Sequence, residues 1–269
     1  MKPNLTIISL NNNFCNNYNL WLLPYPRDPA DGLSWLVEEL QKAEESDSKV
    51  YIISHIPPGT PNCLVSWSHQ YTRIVTRYSN IIMGQFFGHT HYDEFSVLYN
   101  TEGEPISVAF IAPSITPHDY LNPGYRIYLT DGAREKSTHV VLDHQTYYLD
   151  LEHENKVDQN ATLNYTLEYS AKSDLGMEDM SPLSWSQYVN DLVVNKDEWS
   201  KFYKRYTRYG PYSSQHPCDE TCKENILCRL LTFDSSELQM CHALKELIKE
   251  DVNLNEVDND WWNEDFEDF

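Results

Sequence analysis

Two histidine-bearing segments, each placed directly after an apolar run, constrain this chain more than any other feature. His55 follows the β-branched and aromatic run at 50–53, and His89 and His91 follow a second apolar run at 81–87. Side chains that leave the carboxyl ends of neighbouring parallel strands converge on one crevice, where open α/β sheets bind ligands. A lone histidine is more often a surface or core residue. Three imidazoles at such an edge, however, predict a site for a borderline metal such as zinc.

The order of elements indicates an α/β layered domain over about the first 150 residues. A helix is expected after Asp28-Pro29, because proline is favoured in the first turn and apolar residues then recur at helical spacing. A second helix is expected at 71–78. Short β-branched and aromatic runs predict strands at 5–10, 50–54, 95–98, 106–112, 124–130 and 140–149.

The character of the chain changes near residue 153. Residues 153–182 are polar and are typical of a connector, whereas apolar residues from Ser184 onward recur at helical spacing. Two further helices are expected around the cysteines near the carboxyl end. The last 19 residues carry eight acidic side chains and no basic one, which is typical of a solvated tail. A partner-docking segment is the alternative for this tail.

Charge and hydropathy exclude several function classes. The chain has 41 acidic against 20 basic residues and a formal net charge of −21, so we expect no nucleic-acid partner, since such proteins present a basic face. No apolar run reaches the roughly 20 residues that span a membrane. The apolar stretch at 5–10 is too short for a signal peptide, so this chain carries no recognisable export address.

Cysteines and glycosylation sequons point instead to an exported protein. Four of the six cysteines lie within 24 residues, at positions 218, 222, 228 and 241. We expect disulfides there rather than a zinc site, because the paired Cys-x-x-Cys units of a zinc ribbon are absent. Sequons begin at Asn4, Asn160 and Asn164. An exported protein requires a signal peptide, and the sequence shows none. We therefore expect that the chain is incomplete.

Several blocks of sequence resemble the acid sphingomyelinases and their phosphodiesterase relatives, which belong to the calcineurin-like metallophosphoesterases. The matching blocks are HIPPG at 55–59, QFFGHTH at 85–91, LNPGYR at 121–126 and HVVLDH at 139–144. The resemblance implies an α/β fold that is the carboxyl-terminal half of a layered metallophosphoesterase β-sandwich flanked by helices, followed by a small disulfide-linked α-helical domain. The implied divisions are 1–153 for the catalytic part, 154–245 for the helical domain and 246–269 for an acidic, disordered tail.

The same resemblance implies roles for individual residues. His55 and His89 would bind one zinc ion and His91 the other, with a disulfide between Cys15 and Cys63 bracing the loop after His55. Disulfides would also join the cysteines at 218, 222, 228 and 241, whose spacing fits the family. Asn122, Tyr125 and Arg126 would form a substrate-side loop. Asp93 and Glu94 either orient a ligand histidine or lie in a solvated loop.

The remaining parts of the family's two-zinc site are not found in this sequence. The family uses an Asp-x-His, a bridging Asp after Gly, and a Gly-Asn-His whose histidine is the general acid, and none of these motifs occurs in the 269 residues. No catalytic residue is therefore assigned here. We expect the chain alone to hold at most one zinc ion, weakly, and to need the missing amino-terminal half as its partner.

The function implied by the resemblance is zinc-dependent hydrolysis of sphingomyelin to ceramide and phosphocholine by a secreted or lysosomal enzyme. This chain would be an inactive part of that enzyme. One alternative is a catalytically inactive secreted glycoprotein that acts by binding. Another is a related phosphodiesterase that acts on nucleotides, because part of the substrate pocket would come from residues that this chain lacks.

Overall fold

A five-stranded sheet forms the centre of the molecule. The computed structural model describes residues 4–132, 134–156, 162–234 and 241. The strands are β1 (Leu5–Ser9), β2 (Lys49–Ile53), β3 (Ile82–Phe87), β4 (Glu94–Tyr99) and β5 (Pro105–Ile111). Their order is β1-β2-β3-β5-β4, with β4 antiparallel to β5 and all other neighbours parallel. The predicted α/β class is confirmed, and β2 and β3, which precede the histidines, are adjacent.

Two helices, α1 (Gly32–Glu45) and α2 (Val65–Arg77), pack with one face of this sheet into a common core. The Asp28 carboxylate accepts hydrogen bonds from the amides of Leu33 (2.8 Å) and Ser34 (2.9 Å), so Asp28 satisfies two of the unpaired donors at the start of α1. A short 3-10 helix at Pro29–Asp31 intervenes before α1 begins. The predicted helix after Asp28-Pro29 is therefore confirmed.

A second sheet contains the antiparallel strands β6 (Gly124–Thr130), β7 (Val141–Tyr148) and β8 (Thr166–Ser170). It packs against the first sheet where the Tyr128 ring contacts Phe86, with ring centroids 4.7 Å apart, and Phe110, at 5.7 Å. The strands predicted at 124–130 and 140–149 are confirmed. The connector predicted at 153–182 was wrong in part, because β8 lies within it. As an edge strand with an exposed face, β8 carries the polar residues that suggested a loop.

Helices cover the remaining face of the first sheet. Trp185 of α5 (Pro182–Val194) packs against Phe95, with ring centroids 4.2 Å apart, and α6 (Lys196–Tyr206) follows directly. The other helices are α3 (Leu151–Glu154), α4 (Ala171–Asp174), α7 (Pro211–Gln215) and α8 (Glu220–Leu230). None of the helices in the described ranges is long and apolar enough to cross a bilayer. The boundary at residue 153 stays a prediction, and the acidic tail lies outside the described residues.

All six cysteines are paired, as Cys15–Cys63, Cys218–Cys222 and Cys228–Cys241. The first pair joins residues 48 positions apart and links the loop after β1 to the loop after His55. The second and third pairs lie in the carboxyl-terminal helical region. The prediction of disulfides rather than a zinc site at these cysteines is confirmed.

Replacing both Cys15 and Cys63 by serine should lower the free energy of unfolding by about 4 kcal/mol, because the denatured chain then loses a 48-residue loop constraint. The matched control replaces Cys218 and Cys222, which close only four residues, and should cost about 2 kcal/mol on the same relation. Urea unfolding without reductant measures both. Equal losses from the two pairs would contradict the loop-length argument.

Candidate functional site

The two histidine segments meet at the carboxyl edge of the first sheet, after the adjacent strands β2 and β3. His55 Nε2 lies 3.3 Å from His89 Nδ1, and the two rings stand nearly perpendicular, with an interplanar angle of 81°. The amide of Gly88 donates a 3.0 Å hydrogen bond to the His55 carbonyl, so the parallel pairing continues into the loops. His55 is exposed and His89 is half-buried, which leaves the pair open to a ligand.

A buried asparagine shapes the turn that carries His55. Asn12 Oδ1 accepts hydrogen bonds from the amides of His55 (3.2 Å) and Ile56 (3.0 Å), and its Nδ2 donates to the Ile56 carbonyl. The side chain of Asn12 thus replaces a missing strand neighbour at the end of β2. Sequence reasoning missed this residue, because Asn11-Asn12-Asn13 indicated only the end of a strand. The available signal was a polar residue three positions after the end of β1.

His91 pairs with a different histidine. Its ring contacts that of His118, with centroids 5.4 Å apart and planes at 84°. His89 and His91 both have left-handed backbones, with φ of 73° and 67°, a conformation that non-glycine residues adopt only where the surrounding structure requires it. The structure therefore makes two histidine pairs, His55 with His89 and His91 with His118. The metal roles of His55, His89 and His91 stay predictions.

Burial and neighbouring imidazoles favour the neutral form of the two half-buried histidines. The pKa of His89 is lowered, mainly by burial and then by the charges of His55 and His91. The pKa of His91 is also lowered, mainly by burial and then by His118 and Arg208. Neutral imidazole is the form that binds a metal ion, so both rings are in the ligating state at neutral pH.

The His55–His89 pair has the spacing of two ligands on one metal ion. Zinc–nitrogen bonds of about 2.0–2.1 Å in tetrahedral geometry place two ligand nitrogens about 3.3–3.4 Å apart, and the observed separation is 3.3 Å. Within the described part of the chain, however, no three His, Cys, Asp or Glu side chains are grouped so as to hold a metal. The spacing of these two residues fits part of a donor set, and their binding of a metal stays a prediction.

The predicted substrate-side loop is largely engaged inside the chain. Asn122 is buried and its Nδ2 donates to the Arg208 carbonyl at 3.0 Å. The Arg126 side chain is only 2% exposed and pairs with Asp93. Tyr125 is half-buried and stacks on Tyr147, with centroids 5.2 Å apart. Contact of these three residues with a substrate stays a prediction, and their observed contacts are structural.

Asp93 and Glu94 are both buried, so the solvated-loop alternative for them was wrong. Asp93 accepts hydrogen bonds from Arg126 and from the Tyr169 hydroxyl (2.9 Å), and Glu94 lies 3.9 Å from the Arg229 guanidinium. Burial raises the pKa of Glu94. Of the predicted glycosylation sites, Asn4 and Asn164 are exposed and Asn160 lies outside the described residues. Their glycosylation stays a prediction.

This fold is that of an α/β protein with paired histidines at the carboxyl edge of its sheet. The family model for the acid sphingomyelin phosphodiesterase C-terminal region matches residues 104–248, which is more than half of the chain. The chain belongs to this family. The resemblance predicted from the sequence blocks is thereby confirmed.

Individual relatives agree with the family assignment. The chain is 44% identical over 262 residues to a sphingomyelin phosphodiesterase of Bos taurus, and 43% identical over 261 residues to that of Homo sapiens. These matches cover 97% and 96% of this chain but 40% of each relative. A cyclic GMP-AMP phosphodiesterase SMPDL3A of Rattus norvegicus is 32% identical over 254 residues, covering 89% of this chain and 55% of that protein. The chain thus spans about 40% of the length of its sphingomyelin phosphodiesterase relatives.

Proposed function

We propose that this chain is the carboxyl-terminal part of a sphingomyelin phosphodiesterase, which hydrolyses sphingomyelin to ceramide and phosphocholine. The observation that carries the proposal is the His55–His89 pair at 3.3 Å, set after adjacent strands in a chain 44% identical to a sphingomyelin phosphodiesterase. A metal ion bound at such a site would hold the phosphate group of a phosphodiester substrate. Imidazole nitrogens at ligand spacing are the part of that machinery which this chain would contribute.

Each histidine has a distinct part in the proposal. His55 and His89 would hold one zinc ion, and His91 would serve a second. Bound zinc supplies Lewis acidity toward the phosphate and lowers the pKa of an attacking water. Asn12 holds the His55 backbone in place, because its Oδ1 accepts hydrogen bonds from the amides of His55 and Ile56. The left-handed backbones at His89 and His91 turn their rings toward different partners, His55 and His118.

The donor set explains why the chain alone should be inactive. Two imidazoles supply no negative charge to balance a dication, and a two-metal site needs a carboxylate between its ions. The described residues offer no third ligand at this pair. We therefore expect the chain alone to hold at most one zinc ion, weakly, and to hydrolyse sphingomyelin negligibly.

The proposal includes a secreted or lysosomal location. Three disulfides suit an oxidising environment, which supports such a location.

One rival function is nucleotide phosphodiester hydrolysis, because one relative is named a cyclic GMP-AMP phosphodiesterase. Its lower identity, 32% against 44%, favours sphingomyelin. An inactive glycoprotein that acts by binding is the other rival.

A chimaera tests the proposal. The present chain replaces the matching 40% of the Bos taurus sphingomyelin phosphodiesterase, and the intact bovine enzyme is the positive control. We expect the chimaera to hydrolyse sphingomyelin in detergent micelles and the 269-residue chain alone to show no turnover. Monodispersity and a cooperative thermal transition establish that each protein is folded.

Three outcomes would overturn the proposal. Robust turnover by the chain alone would contradict the incomplete site. A folded chimaera that cleaves cyclic GMP-AMP but not sphingomyelin would replace the substrate. A folded chimaera that cleaves neither would favour the glycoprotein that acts by binding.

A further inference from the structure

A fully buried arginine connects the two loops that carry His91 and His118. Arg208, two residues beyond the end of α6, has no exposed surface. Its Nη1 donates a 2.7 Å hydrogen bond to the His91 carbonyl, and its Nε donates to the carbonyl of Asn122. Asn122 closes the loop that begins at His118. One guanidinium therefore bonds to the backbone on both sides of the His91–His118 contact.

Several hydrogen bonds hold the turn that contains Arg208 in place. Arg208 and Tyr209 both have left-handed backbones, with φ of 49° and 52°, and their amides donate to the carbonyls of Arg205 and Lys204 at 2.8 Å. Asn122 Nδ2 in turn donates to the Arg208 carbonyl at 3.0 Å. The bonds between Arg208 and Asn122 are thus reciprocal, which fixes the direction of the arginine side chain.

Two glycines show how closely this turn fits the loop that follows His118. A Cβ at Gly210 would lie 2.5 Å from the Tyr120 carbonyl oxygen, and a Cβ at Gly124 would lie 2.5 Å from Arg208 Cδ. Atoms do not approach so closely without displacement. A side chain at either position would push the arginine and the loop apart. Glycine at both positions therefore permits their close contact.

Acidic side chains act against the effect of burial on the protonation of this arginine. Burial has the largest effect on the pKa of Arg208 and lowers it. The charges of Asp93 and Glu168 oppose this effect and favour the protonated guanidinium. Arg126 is the nearby cation that opposes it. Because a guanidinium stays protonated in proteins, Arg208 donates from a charged group, and such hydrogen bonds are stronger than neutral ones.

We propose that Arg208 is a positioning residue for the site, which fixes His91 relative to His118 by bonding to the backbones of both loops. The consequence for catalysis rests on the proposed function, but the coupling of the two loops does not. The carboxyl-terminal helical segment, through the turn after α6, thereby sets the geometry of one histidine pair in the catalytic part.

The geometry of the guanidinium distinguishes a positioning role from one that depends on positive charge alone. Arginine presents Nε and Nη1 to two acceptors at once in a fixed plane, whereas lysine offers a compact ammonium on a flexible stem. A lysine at 208 keeps the buried positive charge beside Asp93 and Glu168 but cannot bridge both carbonyls. If Arg208 only neutralised the carboxylates, lysine would replace it.

Hydrogen–deuterium exchange of the 269-residue chain, read by mass spectrometry, tests the coupling of the two loops without any assay of activity. In both Arg208→Gln and Arg208→Lys we expect exchange at 88–93 and at 117–124 to rise together by about tenfold or more, since hydrogen bonds to a charged group are lost. Arg208→Lys retains the charge and carries the test where Arg208→Gln does not fold. The matched control is Arg205→Gln, whose side chain bonds to Glu198 and to the Asp174 carbonyl, not to the site loops.

The outcomes separate positioning from general stabilisation. Unchanged exchange in the two loops, restoration by Arg208→Lys, or an equal rise throughout α1 and α2 would each overturn the proposal. In an active chimaera, Arg208→Lys should lower kcat, because His91 is misplaced, whereas Arg205→Gln should leave kcat unchanged. An inactive parental chimaera would count against the proposed function and leave the exchange result to decide on Arg208.

Discussion

Replacing His89 by alanine in the sphingomyelin-cleaving chimaera should lower turnover by at least about 100-fold and remove bound zinc at the same time. The expected size follows because changes to groups that merely support a metal ligand already cost roughly 10–100-fold. His89 Nδ1 faces His55 Nε2 at 3.3 Å, so its loss leaves one imidazole where two are needed. Turnover and zinc content of the same purified protein measure the two effects together.

The matched control for this variant is His153→Ala. His153 is an exposed histidine at the short helix α3, outside both histidine pairs, so its removal should change neither turnover nor zinc content. His91→Ala should lose activity as His89→Ala does. Full zinc stoichiometry in both the His89 and His91 variants would show that these residues are not ligands.

Replacing Arg126 by methionine should lower the free energy of unfolding by about 3–5 kcal/mol, because removing one partner of a buried ion pair leaves the other charge uncompensated. The side chains of Arg126 and Asp93 are 2% and 5% exposed, and Asp93 would keep its bond from the Tyr169 hydroxyl and the charge of Arg208 but would lose its hydrogen-bonded cation. Urea unfolding of the 269-residue chain measures the loss. Arg77→Met, which breaks an exposed pair with Glu44, should cost much less, because exposed ion pairs are solvated and screened by salt.

A double variant separates the charge from the packing. Arg126→Met combined with Asp93→Leu removes both charges and should recover most of the stability, since apolar replacements of a buried pair are often neutral or better. A double variant as unstable as the sum of the two single changes would show that packing, rather than an unpaired charge, sets the cost.

Local patterns in the sequence were enough to predict the elements that position the first histidine pair. Apolar runs before His55 and His89 form adjacent parallel strands. Of the three imidazoles expected to converge, His55 and His89 lie together, whereas His91 contacts His118. The family resemblance implied the disulfide between Cys15 and Cys63, and the absence of a zinc-ribbon spacing favoured disulfides at the other four cysteines without giving their pairing. The strands depend on residue patterns within short segments, which a single sequence displays directly.

The contacts that hold the site in place depend instead on residues far apart in the chain. Arg208 bonds to the His91 carbonyl across 117 residues, and Asn12 bonds to Ile56 across 44. Neither residue lies in a motif, and a buried arginine is indistinguishable from a surface one in a single sequence. Arg126 was assigned to a substrate loop by resemblance, yet its partner is Asp93 in the interior. Burial of charge is a tertiary property, so the sequence pattern did not reveal it.

Zinc titration of the 269-residue chain, followed by native mass spectrometry, tests most directly whether His55 and His89 hold a metal ion together. Because all six cysteines are in disulfides, thiolates do not compete for the ion. We expect one weakly bound zinc ion, lost in His55→Ala and in His89→Ala and kept in His153→Ala. Zinc retained at full stoichiometry in both the His55 and His89 variants would contradict the assignment of this pair.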